Sequence, residues 1–596
     1  MGDMKNMQHG AAVNRLQNIT QFLRHEWKYL SLIIVLALGV LGYFIGPRDL
    51  PPGDYKAEID VALKDRELSI VHPFELGSKD GQVVTDTQVD GPYRVVIEAK
   101  DSYQYGLDQR ISYRVQVEDV AGQPIHLALD QATSTIISPD YYKVLPPTNR
   151  SEEWLEFTMR IPYKARIATG LLLAIAVLWL TELVPLAAAS LLIPVVFVVT
   201  AVTDPATVLE PFFHPIIVLF FAGFLLAEGM RRTEVDRIIA LNILKRTSLK
   251  PAYLMVTMMG VTAFLSMWMS NTASVAIIIP IALVVLDKVP SDLNRTGFRR
   301  ALILGIAYSA TVGGIGSAIG TPANILAMTF LSDFAGTRLA FSDWFYYGLP
   351  FVILMIPIIW IYLILTFRVR FRHVGQHLNH DIYNRELEEL GRLNRDQYFL
   401  LLVFVAIVGL WLTDQWHHID AAIVALGGVL VLFYTGTIKK GDLNRINWDA
   451  LLTFGGGLAL GNMLVLTGVS DWIALQLTGL AHLPSLLVVF LVAGLTLLIG
   501  AFISNTACAA MLIPLAIPLA QILHMDPRLL VVVVAIASSI DFALVVGTPP
   551  TMMAYSTGCF ETKEIFQRGA ALDVIGILVL SFGIIWIWQW LGMIIF

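Results

Sequence analysis

From Ile167 to its C-terminal end the chain is an almost continuous series of apolar runs, and this settles the solvent before any other feature is weighed. In hydrocarbon no water satisfies backbone N–H and C=O groups, so such runs must fold as helices that bond internally and pack in a bilayer. Composition agrees: 56% of the 596 residues are hydrophobic and 15% are charged, against about 25% charged in a soluble protein. A soluble multidomain enzyme is thereby excluded. The net charge is −6 and no basic block interleaves with aromatics, so nucleic acid is not an expected partner. Cys508 and Cys559 both lie in apolar stretches, too few for a disulfide framework or a cysteine-based zinc cluster.

The breaks between runs carry the topology. A first run, Leu30 to Ile45, follows Lys5, Arg15, Arg24 and Lys28 and has no Ala-x-Ala cleavage site after it. It reads as a retained anchor, with residues 1–28 cytoplasmic and the span within 29–50. Residues 51–162 change character. Tyr93 to Glu98 and Ile111 to Val117 alternate with period two, and Asp90-Gly91-Pro92 and Gly122-Gln123-Pro124 supply turns, which predicts a small β-sandwich-like domain. Beyond it, the segments 231–250, 288–300, 368–395 and 437–445 are basic, whereas 204–214 and 332–343 are poor in Lys and Arg. The positive-inside rule makes the first group cytoplasmic and threads the chain through about eleven spans. The expected fold is a polytopic α-helical protein of the inner (cytoplasmic) membrane, with the N-terminus inside and the C-terminus and the all-β domain (between spans 1 and 2) outside. Two transporter repeats, 163–368 and 397–596, are joined by a cytoplasmic connector, 369–396.

The repeats rest on a duplicated constellation. Ser270-Asn271-Thr272-Ala273 with Ile279-Pro280 and Ala282 is answered by Ser504-Asn505-Thr506-Ala507 with Ile513-Pro514 and Ala516. Upstream, Phe221-Ala222-Gly223 answers Phe454-Gly455-Gly456; downstream, Gly320-Thr321-Pro322 answers Gly547-Thr548-Pro549. An odd number of spans separates the copies, so they are expected to be inverted. Inverted repeats with matched Gly/Pro interruptions point to a secondary transporter with its site between them. A plain structural duplication is the alternative.

Ser-Asn-Thr inside an apolar run turns the chain and caps the next helix, so each triplet is placed at the tip of a re-entrant helical hairpin. There, side-chain and carbonyl oxygens suit Na⁺, and helix N-termini suit an anion. Gly-Thr-Pro interrupts a second helix opposite each tip. Any single triplet or Gly-Thr-Pro, taken alone, reads better as a kink or an N-cap; their pairing reverses this and favours the site. Neither hairpin nor either break contains Lys or Arg, so cations and helix ends would have to balance a bound anion.

With Trp179 to Pro185, Gly223 to Ala227 and the stretch from Ala307 through Gly313-Gly314-Ile315-Gly316 to Pro322, these motifs resemble the divalent anion/Na⁺ symporter family, which includes Na⁺-coupled dicarboxylate, citrate and sulfate carriers. The resemblance covers about residues 165 to 596 and omits the β-domain. It implies a homodimer in lipid, an elevator movement of a domain holding both hairpins, and symport of a small divalent anion such as succinate with Na⁺; sulfate or citrate transport, H⁺ coupling and exchange are alternatives. No cofactor other than the coupling ion is implied. Carried over by motif position, the first Na⁺ site is Ser266, Ser270, Asn271 and Gly320, and the second is Asn505 with backbone near Ile503 and Gly547. The anion would meet Asn271, Thr272, Thr321, Ser504, Asn505, Thr506, Thr548 and Pro549.

The chain also departs from the family pattern. Ala323 replaces a second proline, Thr551 an asparagine, and Gly500 holds the place that Ser266 has in the first repeat. Asp541 lies on the apolar segment entering the second break, where it could couple protons, ligate a cation, or be a hydrogen-bonded structural residue. His373, His377 and His380 have helical spacing but sit in a basic loop and read as a solvated face. An intramembrane enzyme using Ser270 or Ser504 would lack a base in the hairpins, and a channel needs no substrate-sized anion site. No motif gives the β-domain a partner; docking of an external partner is one of its two candidate accessory roles, the dimer contact being the other.

Overall fold

The structure is a computed structural model. It describes residues 34–44, 53–62, 67–76, 83–90, 93–104, 108–118, 123, 125, 132–138, 141–145 and 149–150, and then 155–593 apart from 249, 288–292, 370, 372–380, 392 and 546. The segment 1–28, the ends of the first expected span and the three histidines of the connector lie outside the described residues.

The chain divides into two units. The first runs to Ala174 and includes Val199–Val202 and Asn462–Gly479. It opens with α1 (Ile34–Phe44), then β1 (Gly53–Ala62), β2 (Glu67–Leu76), β3 (Val83–Asp90), β4 (Tyr93–Gln104), β5 (Asp108–Glu118), β6 (Ala132–Ser138), β7 (Tyr141–Leu145), β8 (Asn149–Arg150) and β9 (Leu155–Pro162). These form two antiparallel sheets, β2-β1-β6-β7 and β3-β4-β5-β9-β8. Val95 pairs with Val117 and Ile97 with Val115. Val95, Val115 and Val117 are fully buried, as the two-residue period requires of one face.

The second unit is helical and holds the paired motifs. Its first half comprises α2 (Tyr163–Thr181, which begins in the first unit), α3 (Leu186–Val199), α4 (Pro205–Leu209), α5 (Pro215–Thr233), α6 (Val235–Lys245), α7 (Pro251–Ser266), α8 (Asn271–Asp287), α9 (Leu293–Ile315), α10 (Pro322–Ala335) and α11 (Asp343–Thr366). After α12 (Asp381–Leu390), the second half comprises α13 (Arg395–Leu412), α14 (Asp414–His417), α15 (Ala421–Tyr434), α16 (Trp448–Leu466), α17 (Val469–Gln476, in the first unit), α18 (Ser485–Gly500), α19 (Asn505–Ile522), α20 (Pro527–Ser538), α21 (Pro549–Ser556), α22 (Thr562–Leu578) and α23 (Ile585–Trp590), the last two joined by a π-helical turn.

Local chemistry sets many helix starts. Proline occupies the first turn of α4, α5, α7, α10, α20 and α21, where its missing N–H costs nothing. Asp420 and Asp526 cap α15 and α20, and Asn394 with Gln397 forms a capping box on α13. Among the described residues seven helical stretches are long and apolar enough to cross a membrane, and seven shorter apolar helices accompany them. The paired motif helices are packed closely. A Cβ on Gly456 of α16 would lie 2.4 Å from the Ser190 Cβ of α3, so the glycine sets that helix spacing.

Candidate anion and cation site

Each Ser-Asn-Thr triplet starts a helix after a tight tip. The α7–α8 tip runs from Met267 to Ser270, and the α18–α19 tip from Ala501 to Ser504. Ser270 Oγ accepts from the Ala273 N–H at 3.2 Å, and Ser504 Oγ from the Ala507 N–H at 3.3 Å. These are N-caps at identical spacing. Thr321 and Thr548 are the N-cap residues of α10 and α21, each followed by proline and neither making a side-chain cap bond. Their helices thus begin with N–H groups unclaimed by a cap side chain.

These four helix starts bound one cavity of about 360 Å³. Asn271, Thr272, Thr321, Ser504, Asn505, Thr506, Thr548 and Pro549 all line it, as do Ser270, Gly320 and Gly547. Ser266, Ile503 and Asp541 are buried and do not line it. Among the described lining residues none is Lys, Arg or His; the ionisable one is Asp449, exposed at the start of α16 beside Asn447. Positive potential in this cavity therefore comes from four helix N-termini and not from fixed cations.

Around the first tip, oxygens gather. Ser266 Oγ lies 2.6 Å from Asn271 Oδ1 and 2.7 Å from the Ala310 carbonyl oxygen, so one hydroxyl proton faces two acceptors. A Cβ on Gly314 would stand 2.5 Å from Asn271 Oδ1 and 3.0 Å from the Gly320 oxygen, which explains the glycine there. Hydroxyl, amide and carbonyl oxygens are the donor set of a hard cation. The residues present fit Na⁺ at this place.

The two breaks are held differently. In the first, Gly316 to Thr321, the Asn324 amide donates to the carbonyls of Gly314 (3.0 Å), Ile315 (3.3 Å) and Ser317 (2.7 Å). The second is longer: α20 ends at Ser538, and α21 starts only at Pro549. Here Thr551 occupies the place of Asn324 and bonds Thr548 at 3.0 Å. The strand of unwound backbone is gripped instead by Asp573 of α22, whose carboxylate accepts from the N–H groups of Phe542 (2.8 Å) and Ala543 (3.1 Å). One turn earlier, Gly569 admits the Phe542 carbonyl where a Cβ would clash at 1.9 Å.

Asp541, expected on the apolar segment entering the second break, lies three residues beyond the end of α20. Asn324 and Asp573 were not anticipated. Asp573 had a usable signal, being a carboxylate inside the apolar run Ala570 to Ile575. Glu228, also in an apolar run, is accounted for by its pairing with Arg231 at 2.7 Å and Arg445 at 3.3 Å.

The model of the sodium:sulfate symporter transmembrane region matches residues 157–594. The chain belongs to this family. Most of the β-strands precede the matched region. Among similar proteins, the sodium-dependent dicarboxylate transporter SdcS of Staphylococcus saprophyticus is 31% identical over 445 residues, 70% of this chain and 85% of that one. SdcS of Staphylococcus aureus strain MSSA476 is 30% identical over 448 residues, with the same two shares. Of solved structures, the Alcanivorax borkumensis YdaH transporter is similar with a TM-score of 0.46 and 13% identity, over 65% of this chain and 87% of that chain.

Proposed function

We propose that this protein is a secondary active transporter that moves a small dianion together with Na⁺, the preferred substrate being a C4 dicarboxylate such as succinate. The observation that carries the reading is the cavity into which four helix N-termini open and whose described lining has no basic side chain. A dianion there is offset by helix ends and must have its remaining charge neutralised by cations that travel with it. The similarity to transporters named sodium-dependent dicarboxylate transporter supports both the ion and the substrate class. Asn271, Thr272, Ser504, Asn505, Thr506, Thr321, Thr548 and Pro549 are the proposed anion contacts; Ser266, Ser270, Asn271 and Gly320 form the proposed first cation site, and Asn505, Ile503 and Gly547 the second. Na⁺ supplies charge compensation and the driving gradient. No enzymatic step is proposed.

The hairpin reading is supported by the tips: α7 ends at Ser266 and α18 at Gly500, and Ser270 and Ser504 then cap the helices that follow within the same apolar runs. Proposed with it are eleven spans, inverted repeats, an elevator movement in a homodimer, and a β-domain outside the inner membrane. The cavity reaches Asn447 and Asp449, next to the basic segment Lys439, Lys440 and Arg445, so this conformation is read as open to the cytoplasm.

The test is uptake into proteoliposomes. Labelled succinate should accumulate with an inward Na⁺ gradient and respond to membrane potential. Equal uptake when choline replaces Na⁺ at constant pH would overturn Na⁺ coupling, and competition by sulfate or citrate but not succinate would overturn the substrate class. Counterflow of labelled against unlabelled anion distinguishes a carrier from a channel.

A further inference from the structure

The two repeats do not place their oxygens on the same arm. In the first, the hydroxyl is on the hairpin, at Ser266, and the break carries Gly314 six residues before Gly320. In the second, the hairpin position is Gly500, and the break carries Asp541 six residues before Gly547. An oxygen lost from one arm is matched by a carboxylate gained on the other.

The geometry gives this exchange a place. The Asp541 carboxylate lies over the Gly547 α-carbon: a Cβ there would stand 1.9 Å from Oδ2 and 2.8 Å from Oδ1. Asp541 is 2% exposed. Neither of its oxygens has a side-chain donor among the described residues, and the contact turned towards the carboxylate is the Leu544 backbone N–H. The Asn505 Oδ1, at the start of α19, is likewise buried and without a partner. Asp573, the neighbouring carboxylate, is committed to the N–H groups of Phe542 and Ala543. A buried carboxylate with no side-chain donor is costly, and a cation offsets the cost. A Cβ at Gly500 would stand 3.6 Å from Cys508 Sγ and from the Ser538 carbonyl oxygen, ordinary contact distances, so the backbone there accepts a Cβ without a clash.

We infer that Asp541 is a side-chain ligand of the second cation site, its carboxylate taking, from the break, the part that the Ser266 hydroxyl takes from the hairpin in the first. The site so formed joins Asp541, Asn505 and backbone at Gly547, and it selects a hard monovalent cation, Na⁺. This rests on the transport reading above and assigns that reading a ligand which the paired motifs do not contain. A carboxylate also makes the second site the more negative of the two. It holds its cation by charge, where the first site has neutral oxygens only.

The experiment titrates Na⁺, against choline at constant ionic strength and pH, on purified full-length protein. It follows thermal stability without anion, and succinate uptake in proteoliposomes. D541N should need about tenfold more Na⁺ for half-effect in both measurements and give a shallower uptake curve, the scale of one lost charged ligand. D541G should be equally impaired, and G500S/D541G, which transplants the first repeat's arrangement, should recover most of the Na⁺ sensitivity. Wild-type and D541N curves that superimpose would overturn the assignment, as would a G500S/D541G protein no better than D541G. A wild-type protein with no Na⁺ response in either measurement would instead overturn the Na⁺-coupled reading on which this rests. Should D541N fail to yield folded protein, G547A, which drives a methyl group into the carboxylate, is measured in its place, and a Na⁺ titration identical to wild type would overturn the assignment.

Discussion

At the scale of single residues, buried carboxylates have distinct duties here. Asp573 satisfies two backbone donors of the second break, 31 and 30 residues away in sequence. D573N presents an amide N–H to one of those donors, which should cost about 1–3 kcal/mol and loosen the break. The expected outcome is a lower melting temperature with reduced anion uptake; an unchanged melting temperature would show that the two bonds do not hold the break. Asp236, in α6 and outside the candidate spans, behaves differently. It is 2% exposed, its Oδ1 accepts from the Arg237 N–H, and its Oδ2 has no partner among the described residues. Burial pushes its carboxyl up from 3.8 to about 6, with Glu234 adding to the rise and Arg231 opposing it. The fold thus prefers the protonated acid. Its stabilising contribution is fully present below about pH 4, is lost as pH rises towards 6, and stays lost above, at most about 3 kcal/mol. D236N should remove that slope, so the melting-temperature difference between D236N and wild type should change between pH 4 and 6 and be constant from 7 to 8. A difference that is flat throughout would contradict the assignment.

At the scale of elements, glycine separates contact from clearance. G456A forces a methyl group to 2.4 Å from the Ser190 Cβ and 2.9 Å from its Cα, so α16 must move away from α3. A loss of about 1–3 kcal/mol is expected. On α15, a Cβ at Gly427 meets nothing within 4 Å, so G427A should be neutral or gain up to about 1 kcal/mol from helix propensity. Thermal melts of the two variants side by side check the contrast, and equal effects would contradict it. The same scale shows what was readable from the chain. Serine before each outgoing helix and proline at each restart are local devices, so the starts of α8, α19, α10 and α21 could be placed from the motifs alone. The length of the second break could not, because the Phe542 and Ala543 N–H groups are taken by Asp573, from a helix well downstream.

At the scale of the molecule, all the paired motifs belong to the second unit, and the nine strands belong to the first. Most of those strands also precede the region matched by the family model. Replacing residues 53–160 by a short Gly/Ser linker should therefore leave succinate affinity and Na⁺ dependence within about twofold of wild type, while protein yield falls. Measurement of uptake kinetics on a monodisperse, membrane-inserted deletion variant checks this; loss of anion binding would make the domain a receptor or lid.

The sequence by itself determined the solvent, the class of fold and the residues at the two tips and two breaks. It could do so because apolar run length, capping serines and helix-starting prolines act within a few residues of where they stand. Only the tertiary structure decided that Asn271 and Asn505, Thr321 and Thr548 line one cavity, that Asn324 and Asp573 hold the two breaks from opposite polarities, and that the Asp541 carboxylate rests on Gly547. Helices that are apolar all round carry no stripe to say which face meets which neighbour. The partners of their few polar groups are set by packing between segments distant in the chain, and only the assembled fold brings those groups within bonding range.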